Sequence, residues 1–387
     1  MPEALTPDLQ AGQRGGFGVY VHWPYCARIC PYCDFNVYKN VATDVAAWER
    51  ALVADLSFWA ERTPGRALGS VYFGGGTPSL CPPGLVATVI ETCSTLWTFT
   101  DDIEITLESN PTDAEIAAFS GFRAAGVNRL SLGVQSFDDS DLRFLGRNHD
   151  GAAASQALDL ALKTFDRTTF DLIYALPGES EVRWRGRLSE ALARGSEHIS
   201  LYQLTVEPGT AFAKAVDRGV WRPSDEDLSA DLFAATQEIA AGAGMPAYEI
   251  SNHARPGGAS RHNLIYWRGG DYIGVGPGAH GRVTLDGARL ATETALAPGA
   301  YLANGGRASL DPAMAAPLSP RQAFEEKLAM GLRLLEGTPL SAEEHARIAE
   351  RLAPLIADGL CERDGATLRL TQAGRPVLNG VLSALLT

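Results

Sequence analysis

The sequence lacks what would place it in a membrane, on a polyanion or outside the cell. No run reaches the roughly 18 uninterrupted apolar residues of a membrane span. The first 16 residues lack the apolar stretch of a secretory signal, so the expected compartment is the cytoplasm. Basic residues are outnumbered, 33 against 46, for a net charge of −13. A nucleic-acid binder shows the opposite balance, so no nucleic-acid partner is expected. There is no solenoid-length repeat and no low-complexity tract. Cysteine is sparse and uneven. Of six, Cys26, Cys30 and Cys33 crowd into eight residues, while Cys81, Cys93 and Cys361 stand alone. Under reducing conditions these are thiols or metal ligands, not disulfides.

What is present suits a folded protein: 387 residues, 45% apolar and 20% charged. That length allows two or three domains, or a single α/β barrel with an appendage. Strand-like runs, apolar and β-branched, fall at 18–22, 70–73, 103–107, 129–134, 169–174 and 199–206. Helical patterns separate them at 44–61, 112–125, 152–165 and 181–193, with Asp44 and Thr112 as candidate N-caps. The alternation predicts an α/β fold whose parallel sheet curls into a partial (β/α)6 barrel; a flat doubly wound sheet competes. A further helix over 224–242 and a short strand over 247–250 follow. The expected division is a flexible N-terminus (1–16), a barrel (17–250), an irregular segment capping it (251–305), a linker (306–320) and a C-terminal module (321–387). That module should hold helices at 321–335 and 342–358, a hairpin at 360–371 and a last short helix, a mostly helical, winged-helix-like arrangement.

The cluster Cys26-Ala-Arg-Ile-Cys30-Pro-Tyr-Cys33 carries the chemistry. Three thiolates on one loop can each hold one iron of a [4Fe–4S] cube, leaving the fourth iron open to a chelating small molecule. Three other readings compete. Cys30-Pro-Tyr-Cys33 alone resembles a redox pair, but it has no use for Cys26. A structural zinc would need a fourth ligand, and His22 is the near candidate. Covalent haem attachment needs a histidine where Asp34 stands. After the second strand comes Gly74-Gly75-Gly76-Thr77-Pro78-Ser79, which lets backbone approach a ligand closely. It lacks the lysine of a P-loop and the third glycine of a dinucleotide fold. Glu108, Gln135, Asp171 and 202–205 fall at or near the ends of successive strands, where barrel sites gather.

The run Val19-Tyr20-Val21-His22-Trp23-Pro24-Tyr25-Cys26 through Cys33-Asp34-Phe35 resembles the radical S-adenosylmethionine (SAM) superfamily. GGGTPS at 74–79, LESNP at 107–111, RLSLGVQSF at 129–137, GRNH at 146–149 and FDLIYALPGES at 170–180 are similar to its coproporphyrinogen dehydrogenase-like branch. The dehydrogenase has a fourth cysteine where Phe35 stands, and a longer segment ahead of its cluster. The haem-chaperone subfamily instead has the Asp–Phe continuation and a His-Asn-x-x-Tyr-Trp motif, matched by His262-Asn263-Leu264-Ile265-Tyr266-Trp267.

The resemblance implies a radical SAM barrel with three cofactors or ligands: a [4Fe–4S] cluster on Cys26, Cys30 and Cys33, SAM, and haem. It implies that Gly75, Gly76 and Thr77 contact the amino-acid end of SAM and that Arg147 pairs with a carboxylate. Gln135 and Asp171 would meet ribose hydroxyls, Glu108 and Tyr20 would contact the cofactor, and Tyr32 would lie near the adenine. His262 would offer haem an axial imidazole, with Tyr266 and Trp267 as an aromatic wall, while His253 and His280 read as structural. The implied function is a haem chaperone that hands haem to an acceptor apoprotein. The alternative is an oxidoreductase acting on coproporphyrinogen III or another substrate. A homodimer and peripheral contact with a membrane surface stay open.

Overall fold

The computed structural model describes residues 15–39, 42–306 and 315–387. Most of the expected N-terminal tail (1–14) and much of the expected linker (307–314) lie outside them. Six strands follow the predicted alternation: β1 (Phe17–Trp23), β2 (Ala67–Gly75), β3 (Thr98–Ser109), β4 (Arg129–Gln135), β5 (Arg167–Tyr174) and β6 (His198–Gln203). They pair in parallel, each with the next. The helices between them include α1 (Val45–Ala60), α2 (Pro83–Leu96), α3 (Phe119–Ala124), α4 (Gly151–Thr164), α5 (Glu181–Leu192) and α6 (Glu226–Gly242). Asp44 caps α1 by accepting from the Ala47 N–H at 3.1 Å. The helix expected over 112–125 is interrupted, forming Asp113–Ile116 and then α3.

The segment 251–282 is not irregular. It supplies β7 (Asn252–Ala254), helix α7 (Arg261–Trp267), β8 (Asp271–Val275) and the start of β9 (His280–Leu285). β7 runs antiparallel along β6, and β8 runs parallel along β1. With β10 (Ala288–Glu293) and β11 (Ala315–Pro317) the sheet has the order β11-β10-β9-β8-β1-β2-β3-β4-β5-β6-β7. One segment thus borders both sides of the parallel strands, with α7 crossing between. Part of the expected linker is therefore sheet. The strand expected over 247–250 does not form. Glu249 turns its carboxylate back onto the N–H groups of Ser251 and Asn252, at 2.6 and 2.5 Å, and the chain bends there.

Polar side chains from neighbouring strands, among them Thr106, Asp171 and Ser200, face one cavity, so the sheet is curved around it. The apolar core lies on the other face, between strands and helices, with Trp48, Trp59 and Trp184 fully buried. A second core is built by α8 (Pro320–Gly331), α9 (Ala342–Ala357), α10 (Leu378–Leu386) and a three-stranded sheet of Thr338–Pro339, Cys361–Asp364 and Thr367–Leu370. Capping boxes at Ser319 and Ser341 start α8 and α9.

Candidate functional site

The cysteine loop leaves the end of β1. Its two stems, Tyr25–Cys26 and Tyr38–Lys39, pair in parallel, and the Tyr38 N–H donates to the Pro24 carbonyl at 2.8 Å. Inside the loop the Cys33 N–H closes a turn onto the Cys30 carbonyl. Cys30 raises the proton affinity of Cys26, and Cys26 and Cys30 together raise that of Cys33. Burial, the larger cause, pushes Cys26 up and Cys33 up to about 11. Among the described residues no three such side chains converge on one point. A mononuclear metal needs that convergence; a cube, in which each thiolate takes its own iron, needs the sulfurs near but apart. His22 offers no fourth ligand as it stands: Nδ1 meets the Tyr20 hydroxyl and Nε2 the Asn36 carbonyl, both at 3.0 Å. Cys81, Cys93 and Cys361 are buried in apolar cores.

The glycine run lies against the loop's stem. The Gly76 N–H donates to Trp23 and the Thr77 N–H to Tyr25, at 2.8 and 2.9 Å, while the Gly75 N–H donates to Glu108 at 3.2 Å. A Cβ on Gly76 would strike the Pro24–Tyr25 backbone, and Gly75 has φ +106°. With these N–H groups committed, the run offers a ligand its carbonyl oxygens, which suit an ammonium.

Behind it, Glu108 on β3 and Asp171 on β5 face the barrel cavity. Protein surrounds both, yet the cavity leaves them within reach of a small molecule. Glu108 accepts from the Tyr72 hydroxyl at 2.7 Å; burial, with the Asp171 charge adding, lifts its carboxyl to about 7. Burial lifts Asp171 to about 6, against the hydrogen bond from Ser200. Gln135 ends β4 with φ +67°, and its side-chain oxygen has no partner among the described residues. Arg147 sends one guanidinium nitrogen to the Gly133 carbonyl at 2.8 Å and to Asn110, and the other to Cys30 Sγ at 3.3 Å and the Tyr32 hydroxyl at 3.4 Å. Arg147 therefore joins the cysteine loop to β4 and to Asn110 after β3, and no carboxylate neutralises it in an ion pair among the described residues. Tyr32 packs on Phe212, whose N–H donates to the Pro31 carbonyl. Asn110 and Phe212 were not singled out by the sequence. Asn110 stood inside a quoted motif; Phe212 carried no signal.

Tyr20 lies on β1 with its ring near Tyr72 and His262. The structure buries His262. It sits near the N-terminal ends of the strands, 1% exposed, with Nδ1 on the Ser70 hydroxyl at 2.8 Å and Nε2 on the Tyr266 hydroxyl at 2.6 Å. Burial holds its proton affinity down to about 3. Both nitrogens are used, so the imidazole faces no open space for a porphyrin iron. Trp267 lies under Arg333 of the C-terminal module, 4.5 Å from guanidinium to ring centroid. The motif braces the closed end of the barrel. His253 is fully buried, whereas His280, expected to be structural, is exposed.

Comparison with known proteins agrees with this geometry. The radical SAM superfamily matches residues 20–187, and the HemN C-terminal domain matches 318–377. The chain is 38% identical to the Bos taurus mitochondrial radical S-adenosyl methionine domain-containing protein 1, covering all of this chain and 90% of that one. It is 37% identical to the heme chaperone HemW of Mycobacterium tuberculosis, over 98% and 97% of the two chains. The chain belongs to the radical SAM superfamily, in the family of these relatives. As a radical SAM protein it is implied to hold a [4Fe–4S] cluster and SAM. Its fold is that of the Escherichia coli coproporphyrinogen III oxidase HemN, with a TM-score of 0.77 at 22% identity, over 98% of this chain and 92% of that one. No described helix is long and apolar enough to cross a membrane.

Proposed function

We propose that this chain is a haem chaperone of the radical SAM class, binding haem and passing it to an acceptor protein. Cys26, Cys30 and Cys33 would hold the [4Fe–4S] cluster, which would leave one iron without a cysteine for SAM to bind. The carbonyl side of Gly75–Gly76 and the Thr77 hydroxyl would accept from the N–H groups of the SAM amino group. Arg147 meets its carboxylate, Gln135 and Asp171 the ribose hydroxyls, and Glu108 and Tyr20 close the cavity wall beside it. Tyr32 covers the loop near the adenine. The observation that carries this reading is Arg147, without an ion-pair partner among the described residues, reaching from Cys30 to Gly133 beside a Gln135 side chain whose oxygen is orphaned there. Such groups cost stability unless a ligand completes them.

The chaperone reading is supported by near full-length similarity to proteins named for it. It is also supported by Phe35, 64% exposed where the dehydrogenase has a fourth cysteine. The loop's thiols need a reducing compartment, which fits the cytoplasm. The test is anaerobic reconstitution followed by parallel assays. Alanine at Cys26, Cys30 and Cys33 together should abolish the brown cluster absorbance, and alanine at Cys81, Cys93 or Cys361 should not. The unaltered protein should bind haem and leave coproporphyrinogen III unconverted; robust conversion with SAM and a reductant would overturn the chaperone reading.

A further inference from the structure

If the protein carries haem, some side chain must meet the iron. A histidine can do so only with a nitrogen lone pair that reaches outside the fold. Of the seven histidines, His22, His198, His253, His262 and His345 are buried. His149 is half-buried, with Nε2 on the Val134 carbonyl at 3.1 Å. His280 alone stands in solvent, its side chain 61% exposed. It opens β9, which β8 separates from β1 in the sheet, and pairs in register with Glu293. Its Nε2 lies 3.9 Å from the Glu293 carboxylate, too far for a hydrogen bond and near enough to form one after a small ring rotation. A ligating imidazole is commonly oriented this way, one nitrogen on the metal and the other donating to a carboxylate.

The ground around it has the chemistry of a porphyrin site. Asn36 donates to the carbonyls of Pro277 and Leu296, at 3.0 and 2.9 Å, and Gly278 packs against its amide. These bonds pin the tail of the cysteine loop to the turn leading into His280 and to the residues following β10. Phe35, beside Asn36, and Leu296 are both apolar and more than half exposed, 64% and 54%. Lys39 follows Tyr38, whose hydroxyl donates to the Leu296 carbonyl. In a chain of net charge −13, an ammonium at this edge suits a propionate.

We propose that haem docks on this face, with His280 as axial ligand, Phe35 and Leu296 under the porphyrin plane and Lys39 at a propionate. The inference rests on the chaperone reading and places its cargo at the mouth of the barrel, beside the cluster loop, away from the His262 motif.

The test is a haem titration followed in the Soret region, with the unaltered protein, His280→Ala, His262→Asn and a Phe35→Asp/Leu296→Asp pair. His280→Ala should shift the Soret band and weaken binding by about tenfold or more, and added imidazole should restore the band. The double aspartate variant should weaken binding while leaving the band of the bound form in place. His262→Asn should lower the unfolding midpoint and keep the Soret position. Unfolding midpoints of the exposed-site variants should match the unaltered protein. Haem bound by His280→Ala with unchanged band and affinity overturns this site and leaves the chaperone reading standing. No haem bound by the unaltered protein overturns both.

Discussion

At the closed end of the barrel, Glu104 accepts from Arg129 at 3.0 Å, from the Ser260 hydroxyl and from the N–H groups of Arg261 and His262. At the mouth, Glu108 and Asp171 share a cavity with no cation bonded to either among the described residues. Arg147 reaches a thiol, a phenol, an amide and a backbone carbonyl instead. Both ends are polar and enclosed. At one end every carboxylate oxygen is matched, and the chemistry is spent on holding α7 in place. At the other, burial raises the proton affinity of an acid pair, and an amide oxygen has no partner among the described residues. A buried polar group is thus informative by whether its partners are already present.

The comparison breaks most sharply at Glu104. Both it and Arg129 are buried, so Glu104→Ala leaves a guanidinium without its counter-charge and should cost about 3–5 kcal/mol in urea unfolding. The brown cluster absorbance of whatever protein remains folded should persist. A loss below about 1 kcal/mol would show that the closed end is not the structural end.

A smaller and oppositely directed effect is expected at Glu108. Its folded carboxyl, at about 7, and that of Asp171, at about 6, lie above ordinary carboxyl values. The folded chain binds these protons more tightly than the unfolded chain does. Stability from them is therefore full below about pH 4 and is lost as pH rises through 6 and 7. Glu108→Gln should gain on the unaltered apoprotein from about pH 5 to about pH 8, read as the difference in urea midpoints, and should bind SAM more weakly. A pH-independent difference would mean that Glu108 is ionised in the fold.

The smallest effect separates fold from ligand at one residue. Gln135 holds a left-handed backbone, φ +67°. Gln135→Gly should leave the apoprotein unchanged or steadier by up to about 1 kcal/mol and still lower SAM affinity by calorimetry. Equal SAM affinity in the two proteins would remove Gln135 from the site.

The mouth was more legible in the sequence than the closed end. Cys26, Cys30 and Cys33 are neighbours in the chain, so their spacing is itself the geometry. Glu108, Gln135 and Asp171 could be placed because they close strands of the regular alternation. The closed end depends on pairings between distant segments: Phe17 lies beside Asp271, and Glu104 beside Arg261. Local periodicity holds no trace of such partners. The same limit applies to His262. Its motif was visible, but which end of the barrel it faces is decided by Ser70 and Tyr266 around it. The break between Ile116 and Phe119 carries no glycine or proline, so nothing in the local sequence announced it.

The parallel pairing of β1 with β8 also orders events in time. β1 leads directly into the cysteine loop, and its second neighbour is Asp271–Val275, made late in synthesis. Until that segment leaves the ribosome, one edge of β1 has no strand beside it, and Asn36 has neither Pro277 nor Leu296 to bond. Loop closure over so long a stretch of chain is slow. Nascent chains halted before Gly270 should leave Cys26 open to alkylation, and chains halted after Gly306 should shield it, so the iron–sulfur cluster is expected to be loaded onto a nearly finished protein.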